Sequence, residues 1–128
     1  MFAVVPVGAS RADIFQWEYI DPEIPSLGKQ QSATLCPDGA GIFAAPGVHL
    51  SYRNLTQAYL FGADFSGAYL HNATLSDAYL GQANLTNARF GESTLTNADL
   101  TNAVVVGAAF SSTTSRGFTK EQLYSTAS

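Results

Sequence analysis

The chain has a single cysteine, a single methionine and a single tryptophan among its 128 residues. One cysteine excludes an internal disulfide framework and any site built from several thiolates. Charged residues are scarce at 12%, about half the usual share, which is too few for a charge-driven disordered chain. Six basic residues stand against ten acidic ones, for a formal net charge of −4. That balance provides no basic stripe for a phosphate backbone and argues against direct nucleic-acid binding. No run of about 18 apolar residues occurs, so no membrane-spanning helix is expected. A hydrophobic share of 46% and this length suit one small domain.

An internal repeat dominates what is present. From residue 48 to residue 112 a large apolar side chain recurs every five residues: Leu50, Leu55, Leu60, Phe65, Leu70, Leu75, Leu80, Leu85, Phe90, Leu95, Leu100, Val105 and Phe110. Two positions before most of them stands alanine, as at Ala58, Ala63, Ala68 and Ala73; the exceptions are Val48, Arg53 and Ser93. A period of five fits neither a helix at 3.6 nor a flat strand at 2. It fits a short extended piece followed by a turn. Residues two apart in the extended piece point the same way, so the alanine and the large residue share an inner side. The turn follows the large residue. Gly62, Gly67, Asn72, Asn87, Asn97, Asn102 and Gly107 sit two positions after it, and these types tolerate positive φ. Repetition makes a coil with all thirteen large residues as its core and alanines where the interior is crowded.

The run LTQAYLFGADFSGAYLHNATLSDAYLGQANLTNARFGESTLTNADLTNA resembles the pentapeptide repeat family, known from bacterial proteins, with the pattern A-(D/N)-L-x-x. The resemblance spans residues 48–112. It implies an all-β fold: a right-handed, four-sided β-helix (a solenoid) with four pentapeptides per turn and therefore about three coils. At the strand spacing such a stack is only about 16 Å tall.

The flanks read differently. Residues 13–47 carry five acids and one base, Lys29. Phe15, Trp17 and Tyr19 alternate with Gln16 and Glu18, which predicts a strand with one buried face. Pro22, Pro25, the PDGAG run at 37–41 and Pro46-Gly47 signal turns. This β/loop segment is expected to cap the N-terminal end of the coil, because a bare end exposes apolar side chains and unpaired backbone. It also resembles a lead-in module that precedes the repeats in some family members. Residues 113–128 are expected to form a C-terminal cap. Thr119 and Gln122 have capping-box spacing, which predicts a short helix of two turns with Leu123 and Tyr124 covering the last coil. A similar segment joins two repeat blocks in relatives, which leaves two readings of this chain open, a complete protein and a shortened form of a longer one. Residues 1–12 open with an apolar stretch, Met1 to Ala9, and Ser10-Arg11-Ala12 places small residues just before Asp13. They fit either a plain tail or the remnant of a signal peptide, which leaves an exported and a cytoplasmic location equally open.

Chemistry finds few candidates. His49, His71 and Cys36 lack zinc spacing, so no metal is expected. Cys36 has no basic neighbour in sequence to activate it and reads as inert. Asp64, Asp77, Glu92 and Asp99 are expected on a solvated surface with nothing to split their pKa values. The GAGIFAAPG run lacks the lysine of a phosphate loop. No catalytic residue and no cofactor are expected. The Asn-x-Thr triplets at Asn54, Asn72 and Asn84 read as by-products of the repeat.

Residues twenty apart stack under the implied geometry. Tyr59, Phe61 and Tyr79 then cluster outside the coil, where they serve either as a partner-binding patch or as coil-to-coil packing. Tyr69 falls below Arg89 within reach of a cation–π contact, and Phe90 stacks on Phe110. Two functional readings follow. The first is a non-enzymatic structural or protein-interaction module with an unidentified protein partner. Such a module can also self-associate, end to end or laterally through the aromatic patch. The second is implied by the family resemblance alone: a mimic of duplex DNA that binds DNA topoisomerase. A repeat region with four acids and two arginines disfavours it, since DNA carries one charge per about 1.7 Å. So does a stack about half as tall as one DNA turn of roughly 34 Å.

Overall fold

The computed structural model describes residues 13–127; the expectations for residues 1–12, a tail or a signal-peptide remnant, lie outside the described residues. Strand β1 (Phe15–Tyr19) pairs antiparallel with β2 (Lys29–Leu35), and a short 3-10 turn at Pro25–Leu27 lies between them. A second 3-10 turn at Thr114–Arg116 and helix α1 (Lys120–Tyr124) follow the repeats. The sequence predicts β1 but not β2, because KQQSATL has no alternating apolar face. Its residues are mostly half-buried or exposed, and β2 exists because β1 presents an edge to it.

Between these flanks the chain winds as a β-solenoid. Nine parallel bridges join residues twenty apart. They fall into four columns: His49–Tyr69–Arg89–Ala109, Asn54–Thr74–Thr94, Tyr59–Tyr79–Asp99 and Asp64–Asn84–Val104. Between windings the backbone is paired in a fixed pattern. Leu60 N–H donates to the Tyr79 carbonyl at 2.9 Å, and Tyr79 N–H donates to the Ala58 carbonyl at 2.8 Å. Within each pentapeptide a turn closes, as in Ala83 N–H to the Leu80 carbonyl at 3.1 Å. Its third residue has positive φ, which is the type II pattern. The sequence points to this at its glycines and asparagines. The structure extends it to Tyr52, Gln57, Asp77, Gln82, Glu92 and Ser112, all with φ of 57–66°. The ladder above and below imposes the left-handed conformation on residue types that rarely choose it.

The slot residues from Leu50 to Leu100 are buried, and with them Ala58, Ala68, Ala73, Ala78, Ala83, Ala88, Ala98 and Ala103. Each large side chain removed from water contributes roughly 1.5–3 kcal/mol. Val105 and Phe110, expected in the same core, are only partly buried and pack against its end. They belong to the final winding, which has no winding above it. Phe110 is sandwiched instead, with Phe90 at 5.0 Å and Phe118 at 4.7 Å, both stacked.

The two ends are finished differently from one another. At the first winding, Tyr59 N–H donates to the Phe15 carbonyl at 2.8 Å and Trp17 N–H to the Gln57 carbonyl at 2.9 Å, so β1 lies antiparallel on that edge. Beside it, Asp38 N–H donates to the Asn54 carbonyl at 3.0 Å, and the Asp38 carboxylate accepts Asn54 N–H at 2.6 Å. At the last winding, Thr119 caps α1 in a reciprocal capping box with Gln122. The Gln122 amide then reaches the carbonyls of Leu95 at 2.7 Å and Ala98 at 2.9 Å. The helix has five residues rather than two turns, and Leu123 and Tyr124 do not cover the coil: they are 40% and 76% exposed. Phe118 and the Gln122 amide take that place, because the exposed end offers unpaired carbonyls that a polar amide satisfies and an aliphatic chain does not.

Candidate functional site

The outward face of the Tyr59–Tyr79–Asp99 column gathers a cluster of aromatic rings. The Tyr59 and Tyr79 rings are 5.9 Å apart, and Phe61 lies 5.2 Å from Tyr79. The three expected patch residues are thus neighbours, but not equally open. Tyr59 and Tyr79 are half-buried, and Phe61 is exposed. Phe61 occupies the position just after the slot, and twenty residues later that position is Gly81. A Cβ at Gly81 would come within 3.2 Å of the Phe61 ring and 3.0 Å of the Tyr79 ring. The missing side chain is what lets both rings lie down on the next winding.

Three residues that sequence reasoning left out complete this surface. Trp17 sits edge-on to Tyr19 at 5.1 Å, and its indole N–H donates to the Asp77 carbonyl at 2.6 Å. The Lys29 ammonium stands over both the Trp17 ring at 4.2 Å and the Tyr79 ring at 4.9 Å. A cation held by two ring faces is worth roughly 0.5–1 kcal/mol per contact at an exposed site. The β1–β2 pair therefore lies along the solenoid wall and turns a bare aromatic column into a composite of Trp17, Lys29, Tyr79 and Phe61. The sequence carried one signal for it: the only tryptophan and the only lysine before the repeats both fall in this segment.

Burial, with smaller contributions from the Asp99 carboxylate and Tyr59, pushes the Tyr79 hydroxyl above its ordinary pKa. Next to the patch an open hollow of about 330 Å³ lies between the lead-in segment and the first winding, lined by Phe15, Gln31, Phe43, Tyr59 and Phe61 among others.

The column two pentapeptides away holds a second ladder of planar groups. His49 stacks on Tyr69 at 4.5 Å, and the Arg89 guanidinium lies 5.0 Å from the centroid of the same Tyr69 ring. Tyr69 is thus in contact with both. His71 belongs elsewhere, with its imidazole close above Gly91. Asn54, Asp64, Asn84 and Asp99 each accept the backbone N–H and the hydroxyl of a Ser or Thr two residues later. This ties the Asn54 and Asn84 triplets to turn formation. For Asp64 the Ser66 hydroxyl and amide hold the carboxyl below its ordinary range. Cys36 is buried, and burial pushes its thiol up to about 12. Among the described residues no group of three His, Cys, Asp or Glu side chains is placed to hold a metal ion, and no helix is long and apolar enough to cross a membrane.

A family model, Pentapeptide repeats, matches the chain in 8 copies over residues 47–77 and 78–114, more than half of its length. No curated protein matches the chain.

Proposed function

The chain belongs to the pentapeptide repeat family, and from that premise we propose that it is a non-enzymatic module that binds a protein partner through one wall of a right-handed, four-sided solenoid of about three coils. Four columns of bridges at a spacing of twenty residues support the four-sided reading. On this reading residues 13–47 are the N-terminal cap, 48–112 the solenoid and 113–128 the C-terminal cap. The partner-binding face is that of Tyr59, Phe61 and Tyr79, bordered by Trp17 and Lys29.

One observation carries the choice of face. Phe61 is 40% exposed while packed at a tilt against Tyr79 and over the bare backbone of Gly81. A rigid aromatic ring in the open loses little entropy on binding, and such rings dominate protein interfaces. The test is affinity capture with the wild-type protein and with Phe61→Ser, quantified by mass spectrometry, both proteins having the same thermal midpoint. A partner captured by the first and lost by the second is the expected result. Equal capture by both removes the face from the proposal.

A further inference from the structure

The free edge of the first winding is covered piece by piece, and one piece is left out. Asp38 bonds to Asn54, β1 to Gln57 and Tyr59, and Gly47 to Ser66. Between Tyr59 and Ser66 the edge is open. One winding on, the carbonyls of Tyr79, Gly81 and Asn84 accept the N–H groups of Leu60, Gly62 and Phe65 at 2.9, 2.9 and 2.8 Å, and Asn84 N–H donates to the Ala63 carbonyl at 2.8 Å. The counterparts twenty residues earlier are the carbonyls of Tyr59, Phe61 and Asp64 and the N–H of Asp64. Among the described residues none of these four groups has a hydrogen-bond partner. The hollow of about 330 Å³ opens against the same stretch, with Leu60, Phe61 and Ala63 contributed by the winding and Phe15 and Phe43 by the lead-in segment. Phe43 is 53% exposed.

We propose that the open edge from Tyr59 to Asp64 and the adjoining hollow together bind an extended segment of the protein partner, one that carries an aliphatic side chain next to lysine or arginine. This names the partner's chemistry and rests on the reading of Tyr59 and Phe61 as the partner-binding face. An unpaired edge is a template for strand addition, in which backbone bonds hold the segment and pockets select its side chains. Alternate side chains of that segment point opposite ways, so one enters the apolar hollow while its neighbours stay at the rim. Charge selects what those neighbours are. Asp13 is the one charged side chain among the described residues lining the hollow. At the far end of the open stretch stands Asp64, exposed, whose Oδ1 accepts the Ser66 amide at 3.0 Å and the Ser66 hydroxyl at 2.7 Å. Its Oδ2 has no partner among the described residues. No base falls between Tyr59 and Asp64. Complementarity therefore favours a basic segment over a second copy of a chain that itself carries a net −4.

The test is an NMR titration of the full chain at low salt with the peptide acetyl-Lys-Val-Lys-Val-Lys-amide. Saturable shifts of the amides from Phe61 to Asp64 are expected, with a Kd of about 0.1–1 mM, and the Asp64 amide gains protection from hydrogen exchange. The peptide acetyl-Glu-Val-Glu-Val-Glu-amide is expected to bind at least about tenfold more weakly. Asp64→Asn preserves the turn, since Asn54 and Asn84 make the same bonds to Thr56 and Thr86. It is expected to weaken the basic peptide about two- to fivefold, the loss of one exposed ion pair. Phe43→Ser removes an exposed wall of the hollow and is expected to weaken binding with an unchanged circular dichroism spectrum. Absence of saturable binding overturns the proposal. So does binding that leaves the Asp64 amide unprotected, and so does equal binding of the acidic peptide. An Asp64 amide already protected before peptide is added also overturns it, because the edge then has another occupant, a second copy if the protection rises with protein concentration. Each of these failures leaves the lateral face standing as long as Phe61→Ser still loses the captured partner; failure of that face shows instead as equal capture by the two proteins.

Discussion

The indole N–H of Trp17 donates to the backbone carbonyl of Asp77, 2.6 Å away and sixty residues later in the chain. That bond reaches past the first winding, where β1 is docked, to the second. It fastens the lead-in segment along the wall of the solenoid as well as across its end. Replacement of Trp17 by Phe keeps an aromatic ring for Tyr19 and Lys29 but removes the donor. A loss of about 1–2 kcal/mol is expected, the cost of a lost hydrogen bond and a carbonyl left unpaired. Urea unfolding followed by far-ultraviolet circular dichroism measures it.

Leu80 lies at mid-stack with no exposed surface. Leu80→Asp buries a carboxylate among apolar neighbours and is expected to abolish the cooperative thermal transition, a cost beyond about 4 kcal/mol. Tyr59→Ala, on the outer face, is expected to cost far less and to leave a cooperative melt. Calorimetry on the two variants compares the inner and outer positions of pentapeptides stacked in adjacent windings directly.

Ser93 stands where most pentapeptides have alanine. It is fully buried, and its hydroxyl has no hydrogen-bond partner among the described residues. Ser93→Ala removes an unsatisfied polar atom without enlarging the side chain, so a gain of about 1 kcal/mol in unfolding free energy is expected. A denaturation midpoint equal to or below that of the wild type contradicts this account of the site.

The Cys36 thiol, pushed from 9.0 to about 12 by burial, predicts both a reactivity and a pH dependence. A thiol that stays protonated in the fold does not attack disulfide reagents, so labelling is expected only as fast as the protein opens. Because the folded value lies above the unfolded one, the neutral thiol's contribution is fully present below about pH 9 and is lost as pH rises toward about 12. Tyr79, also raised by burial, acts in the same direction above the ordinary tyrosine range. Thermal midpoints are therefore expected to fall on the alkaline side, and Cys36→Ala to flatten part of that fall.

Gly39 tests the fit of the lead-in segment. A Cβ there would lie 2.1 Å from the Ile14 carbonyl oxygen and 3.1 Å from Cys36 Cβ. The first neighbour is backbone that is itself bonded: the Ile14 carbonyl accepts the Cys36 N–H at 3.0 Å. Gly39→Ala is expected to destabilise the protein by about 1–3 kcal/mol through this overpacking. Equilibrium unfolding read from Trp17 fluorescence reports on the same segment.

Much of the solenoid was legible from residues alone, because a five-residue period leaves the chain little choice. The large residue and the alanine two places earlier must share a side, and the turn must follow. The capping box at Thr119 and Gln122 was legible for the same reason, since its chemistry is local. The candidate site was legible only in part. Tyr59, Phe61 and Tyr79 follow from the period, but Trp17 and Lys29 reach the same face through a strand pairing between segments with no shared pattern. The expectation that Leu123 and Tyr124 cover the last winding failed because hydrophobicity said nothing of the unpaired carbonyls waiting there.

By itself, then, the sequence determined the period, the inner and outer sides of each pentapeptide and the family, since each rests on contacts between residues at most five apart or on their strict repetition. The tertiary structure alone decided three things: which residues besides glycine and asparagine take positive φ, how β1 and β2 cover one end and build the composite aromatic face, and that among the described residues the N–H groups of Val105, Gly107 and Phe110 have no backbone partner at the other. These depend on hydrogen bonds between residues ten to sixty positions apart, and such bonds are set by where the backbone groups end up in space rather than by the side chains that a sequence displays.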